Sequence, residues 1–151
     1  MRRIFVSYQH RDHSKAHGFN LLQWNKNVEL EVSTRHLLTT VDSENKPYIT
    51  SKIKEQMNGT SVTVVLIGRD THKSDWVADE IRWSQEKGNG LLGICLENGV
   101  TVPEGLEACG AEVIGWDVHE FGNAIERAAL AAGRGPTIAA SAGGGAGSCA
   151  R

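Results

Sequence analysis

From Ser61 to Gly68 the chain reads SVTVVLIG, and from Gly90 to Leu96 it reads GLLGICL. Both runs are apolar at consecutive positions instead of alternating, the pattern of a strand covered on two faces. Between them, Ser74–Lys87 has helical spacing. Val77, Ile81 and Ser84 fall on one face, Ser74 can cap the start and Gly88 can end the helix. Strand, helix, strand over this span implies a right-handed crossover in a parallel sheet.

The same alternation extends in both directions. Arg3–Tyr8 (RIFVSY) predicts a first strand, His13–Asn27 a helix, and Glu31–Leu37 contains a second strand. Lys46–Asn58 carries Ile49, Ile53 and Met57 at i, i+4 and i+8 and then meets Gly59, a helix with a glycine stop. Ala111–Trp116 predicts a fifth strand and Val118–Ala132 a closing amphipathic helix. The expected fold is α/β, a flavodoxin-like doubly wound sheet of five parallel strands with helices on both faces. Ligands of such sheets bind beyond the carboxyl ends of the strands. The loops to search are therefore Tyr8–His13, Leu38–Pro47, Arg69–Asp75 and Glu97–Gly105.

The chain has 151 residues, with 16 Lys+Arg against 18 Asp+Glu and a formal charge of −2. That balance argues against nucleic-acid binding driven by a basic field. No apolar run approaches the ~20 residues that span a bilayer, and the basic start is too short in apolar residues for a signal peptide. A cytoplasmic protein without membrane partners is expected. Six of the 17 glycines lie in the last 19 residues, GRGPTIAASAGGGAGSCAR. This stretch has no periodicity and almost no large apolar side chain, so residues 133–151 are read as a flexible Gly/Ala/Ser-rich tail behind a domain of residues 1–132. Without the tail the formal charge is −4.

Several chemistries are disfavoured. There is no GxGxxG after the first strand, no GxxxxGK[ST], no GxSxG and no CxxC. His10, His13 and His17 lack the companions of a metal site and read as surface residues, so no metal and no resident cofactor are expected. The helix from Ser74 is more suggestive, because Trp76, Glu80, Trp83 and Lys87 form a stripe at i, i+4, i+7 and i+11. A carboxylate between two indoles, at the ligand-binding end of a parallel sheet, is a candidate active site. The plain alternative is that the indoles pack on the core and Glu80 only favours its helix.

Two segments carry a resemblance. Ile4-Phe5-Val6-Ser7-Tyr8, continued to Asp12, resembles the FISYxxxD opening of TIR domains. Val64–Ile81 (VVLIGRDTHKSDWVADEI) resembles the VVLIGxxTxxSxWVxxEI signature of the bacterial TIR-like family of the Thoeris anti-phage defence sensor ThsB, and GNGLLGI from Gly88 continues it. The usual WCxxE box stands here as Trp76-Val77-Ala78-Asp79-Glu80, with valine in place of cysteine.

The resemblance implies an NAD-processing enzyme of NAD glycohydrolase or ADP-ribosyl cyclase type. It would cleave the nicotinamide–ribose bond and make a cyclic or modified ADP-ribose signal for a partner effector. It also implies Glu80 as the catalytic residue, with Ser7, Tyr8 and Gln9 lining the substrate pocket and NAD serving as substrate, while Trp76 of the helical stripe is a candidate wall of that pocket or a core aromatic that anchors the helix. The alternative left open is a non-catalytic domain that self-associates or binds partners, or one that holds a nucleotide without cleaving it.

Overall fold

The computed structural model describes residues 2–9, 12, 30–34 and 46–133. Five strands, β1 (Arg2–Tyr8), β2 (Leu30–Thr34), β3 (Val62–Ile67), β4 (Gly90–Cys95) and β5 (Glu112–Ile114), form one sheet. Every pairing is parallel and the order is β2-β1-β3-β4-β5. The order reverses between β1 and β3, as in flavodoxin-like sheets, and the crevice outside that reversal is where such sheets take ligands. Ile4 pairs with Val62 and Tyr8 with Leu66, so the carboxyl ends of β1 and β3 finish side by side there.

Four helices are described: α1 (Lys46–Met57), α2 (Asp75–Lys87), α3 (Glu104–Cys109) and α4 (Val118–Ala131). Strand alternation divides the core between the two faces of the sheet. Ile4, Val6 and Tyr8 of β1, with Val64 and Leu66 of β3 and Ile94 of β4, pack beneath Phe121, Ile125 and Ala128 of α4. On the other face, Val65 and Ile67 of β3 meet Val77 and Ile81 of α2 and Leu106 of α3. Phe5 of β1 packs there with Ile49, Ile53 and Met57 of α1 and Trp83 of α2. Full burial of each such side chain contributes about 1.5–3 kcal/mol, so the continuous apolar runs of β3 and β4 supply driving force from both layers.

The expected α/β class and parallel sheet are present. The β2 strand begins one residue before the expected window, and β5 is shorter than expected. Helix α2 starts behind Ser74, whose side chain accepts from the Val77 amide at 3.2 Å, and ends at Gly88 with φ 85°. That left-handed geometry carries no steric cost at glycine. Two features were not expected, a 3-10 turn at Thr71–Lys73 and the helix α3, whose first two residues fall in the expected loop Glu97–Gly105. The predicted helix His13–Asn27, the loop Leu38–Pro47 up to residue 45, and the tail beyond Gly133 lie outside the described residues. No helix among the described residues is long and apolar enough to cross a membrane.

Candidate active site

At position 7 a hydroxyl interrupts the apolar run of β1. Phe5 and Ser7 face the α1–α2 layer, while Ile4, Val6 and Tyr8 face α4, because neighbouring strand residues point to opposite faces. Ser7 is completely buried, and its hydroxyl donates to Oε1 of Glu80 at 2.6 Å. Glu80 is likewise buried, with 0% exposure. The two motifs, 73 positions apart, are thus joined by a short hydrogen bond. A bond of this length to a carboxylate has charge-assisted character.

Glu80 reaches this point because α2 buries two stripes. Val77, Ile81 and Ser84 lie on the sheet, and Glu80 and Trp83 turn toward β1 and α1. Trp83 is 7% exposed and belongs to the core with Phe5 and Ile53. Trp76 is half-buried at the edge of that cluster, edge-on to Trp83 with ring centroids 6.5 Å apart. The ammonium of Lys46, the first residue of α1, lies 5.6 Å from the Trp76 ring centroid and 4.0 Å from Oδ2 of Asp79. Helices that follow parallel strands begin at the strands' carboxyl ends. Lys46 and Trp76 therefore put a cation and a partly open indole at the ligand end of the sheet.

The expected site residues separate accordingly. Ser7 and Glu80 come together, and Trp76 stands one turn before Glu80 on the same helix. Tyr8 does not join them. It is 3% exposed in the core beneath α4, on the face of the sheet opposite to Ser7. Gln9, just past β1, is half-buried, and its carbonyl accepts from the amide of Asp12 at 2.8 Å.

Two further residues tie the loops after β1 and β3 together. The Thr71 hydroxyl accepts from the Gly68 amide at 2.7 Å and lies 3.5 Å from Oδ2 of Asp12. The Asp12 carboxylate packs so closely on Gly68 that a Cβ at that position would collide with it. The loop after β1 is thereby keyed to the loop after β3. Both residues stood within the quoted motifs, Asp12 as the last residue of the first box and Thr71 in the second. Spacing alone could not reveal that they meet. Among the described residues, no three His, Cys, Asp or Glu side chains cluster as a metal site.

A parallel α/β sheet with a helix-borne carboxylate buried against its first strand, at the reversal of strand order, is the class of protein that this geometry defines. More specifically, residues 5–101 match the family described as "Thoeris protein ThsB, TIR-like domain", and the chain belongs to that family. It is 55% identical over 38 residues to a protein of Bacillus cereus (strain MSX-D12) named "Putative cyclic ADP-D-ribose synthase ThsB1". That stretch covers 25% of this chain and 20% of the relative's length. Among solved structures, a 2-desoxiribosyltransferase from Leishmania mexicana is 14% identical with a TM-score of 0.48, covering 70% of this chain and 76% of that one.

Proposed function

We propose that this protein processes NAD in anti-phage defence by cleaving the bond between nicotinamide and ribose, with Glu80 as the catalytic carboxylate. The observation that carries this reading is the buried 2.6 Å hydrogen bond from Ser7 to Glu80, which unites two family motifs at the sheet's ligand end. Family membership supports it, and so does the printed name of the Bacillus cereus relative.

The chemistry suits a single carboxylate. A glycosidase commonly needs a second carboxyl group to protonate its leaving oxygen. The nicotinamide of NAD is already a cationic pyridinium. When the C1′–N bond breaks, its electron pair returns to the ring nitrogen and nicotinamide departs neutral, with no proton delivered. Positive charge then builds on the ribose C1′ and ring oxygen, and a negative group held in place in a water-poor site stabilises it. Glu80 supplies that charge and can also accept from a ribose hydroxyl. Ser7, on a strand, fixes one carboxylate oxygen so that little reorganisation accompanies the charge change. Trp76 offers a stacking surface for a flat ring and Lys46 a positive charge for the diphosphate.

Capture of the ribosyl cation completes the reaction. Water would give ADP-ribose after losing a proton to solvent. A hydroxyl of the same nucleotide, after losing its proton to solvent, or a ring nitrogen through its lone pair, would give a cyclic product. Either product would serve as the signal for a partner effector.

The complete burial of Glu80 favours a second reading, a non-catalytic interaction or nucleotide-binding domain. A buried carboxylate can touch ribose only if what covers it moves, so the enzyme reading requires an opening step before turnover. Calorimetry and nicotinamide release, measured together on the purified protein with and without an activating lysate, separate the two. Release of nicotinamide supports the enzyme, whereas NAD binding with the ligand unchanged supports the alternative.

A further inference from the structure

On the sheet side of α2, a chain of buried polar side chains runs from Glu80 to the far end of the strands. The Ser84 hydroxyl donates to the main-chain carbonyl of Glu80 at 2.7 Å. Its single proton is then spent, so the 2.6 Å contact between Ser84 Oγ and Thr63 Oγ1 has Thr63 as donor. Thr63 in turn accepts from Nδ2 of Asn89 at 3.4 Å, and the same Nδ2 donates to Thr60 Oγ1 at 3.0 Å. Each of these four residues is buried, at no more than 1% exposure. Every donor of the run Asn89, Thr63, Ser84 points toward the Glu80 carbonyl.

This arrangement is not the obvious choice for stability. A serine inside a helix that donates to the carbonyl four residues earlier mildly weakens the helix. Alanine at position 84 and valine at 63 would fill nearly the same space and remove both partners of that contact, which leaves the long 3.4 Å bond from Asn89 to Thr63 as the main loss. What the polar pair provides is direction. Ser7 on β1 holds the Glu80 carboxylate, and Thr63 on β3 holds its backbone through Ser84, so one residue is tied at both ends to adjacent strands.

We infer that Ser84 and Thr63 are positioning residues for Glu80, acting through its main-chain carbonyl, an assignment that rests on Glu80 being the catalytic carboxylate. Misplacing a reacting group by about 1 Å can cost around 100-fold in rate. The double substitution Thr63→Val with Ser84→Ala is expected to leave KM for NAD near wild type and lower kcat by about 10- to 100-fold, with a urea midpoint lowered only modestly by the lost Asn89 bond. Thr63→Ser, which keeps the hydroxyl, recovers most of the loss.

A second readout is independent of turnover. With 13C-carboxyl glutamate, the Glu80 resonance is assigned by its absence in Glu80→Gln and titrated against pH. Its midpoint moves in the double variant and returns in Thr63→Ser. A double variant with wild-type kcat, or with an unmoved midpoint, overturns the inference. If the wild type shows no turnover at all, the enzymatic reading fails by itself and the titration alone decides the positioning role. If the double variant does not fold, Ser84→Ala by itself is held to the same criteria.

Discussion

Ser7 and Glu80 bury a hydroxyl and a carboxylate against each other, and removing the hydroxyl is costly in two ways. Hydrogen bonds to charged groups contribute about 1.5–3 kcal/mol, so Ser7→Ala is expected to lose stability of that order in urea titration. Turnover should fall by at least about tenfold, because Oε1 is no longer oriented. Gly68 offers a sharper case. Gly68→Ala drives a methyl group into the Asp12 carboxylate and should cost about 1–3 kcal/mol. In an Asp12→Ala background much of that penalty should vanish, a coupling that a double-mutant cycle measures directly. Cys95, free and half-buried, behaves as a packing residue, since burial pushes its thiol above the usual range. A raised folded pKa means the native state binds the proton more tightly. Stability from this group is present below the unfolded thiol's pKa and is lost as pH rises through the folded one. Alkylation at pH 8 should accordingly run slower in the native protein than in urea, and mass spectrometry reads the difference.

Helix α2 is the element on which both stability and the site depend. Its ends are set locally, by Ser74 accepting from Val77 and by Gly88 in the left-handed region. Ser74→Ala should cost about 1 kcal/mol, measured as a lowered urea midpoint with an unchanged m-value. Both ends were legible from residue types alone, because caps are short-range chemistry. The face toward α1 was not. Trp83 reads equally well as the wall of a pocket or as core, and only the seating of α1 through Ile53 and Met57 makes it core. The six residues of α3 escaped for a related reason, since Leu106 is their one fully buried side chain and a single apolar residue has no period. Tyr8 shows the limit most plainly. Strand alternation predicts that Ser7 and Tyr8 face opposite layers, but it does not say which layer holds the carboxylate.

At the scale of the molecule, uninterrupted apolar strands dictate a sheet covered on both faces, and the chain's path from β1 to β2 and back to β3 opens a crevice between β1 and β3. The end of the sheet where such folds take ligands is therefore legible from hydrophobic pattern and connectivity. The make-up of the candidate site is legible only where a helix and a strand each offer a polar residue among buried neighbours, as Ser7 and Glu80 do. The keying of Asp12 onto Gly68 and the hydrogen-bond run to Ser84 join residues far apart in the chain, and only tertiary structure brings them into contact. All of this converges on one carboxylate. The most direct test is mass spectrometry of NAD incubated with activated wild-type protein and, in parallel, with Glu80→Gln, both verified as folded. The account predicts nicotinamide together with ADP-ribose or its cyclised form from the wild type, and intact NAD from the variant. Equal consumption of NAD by the two proteins would contradict it.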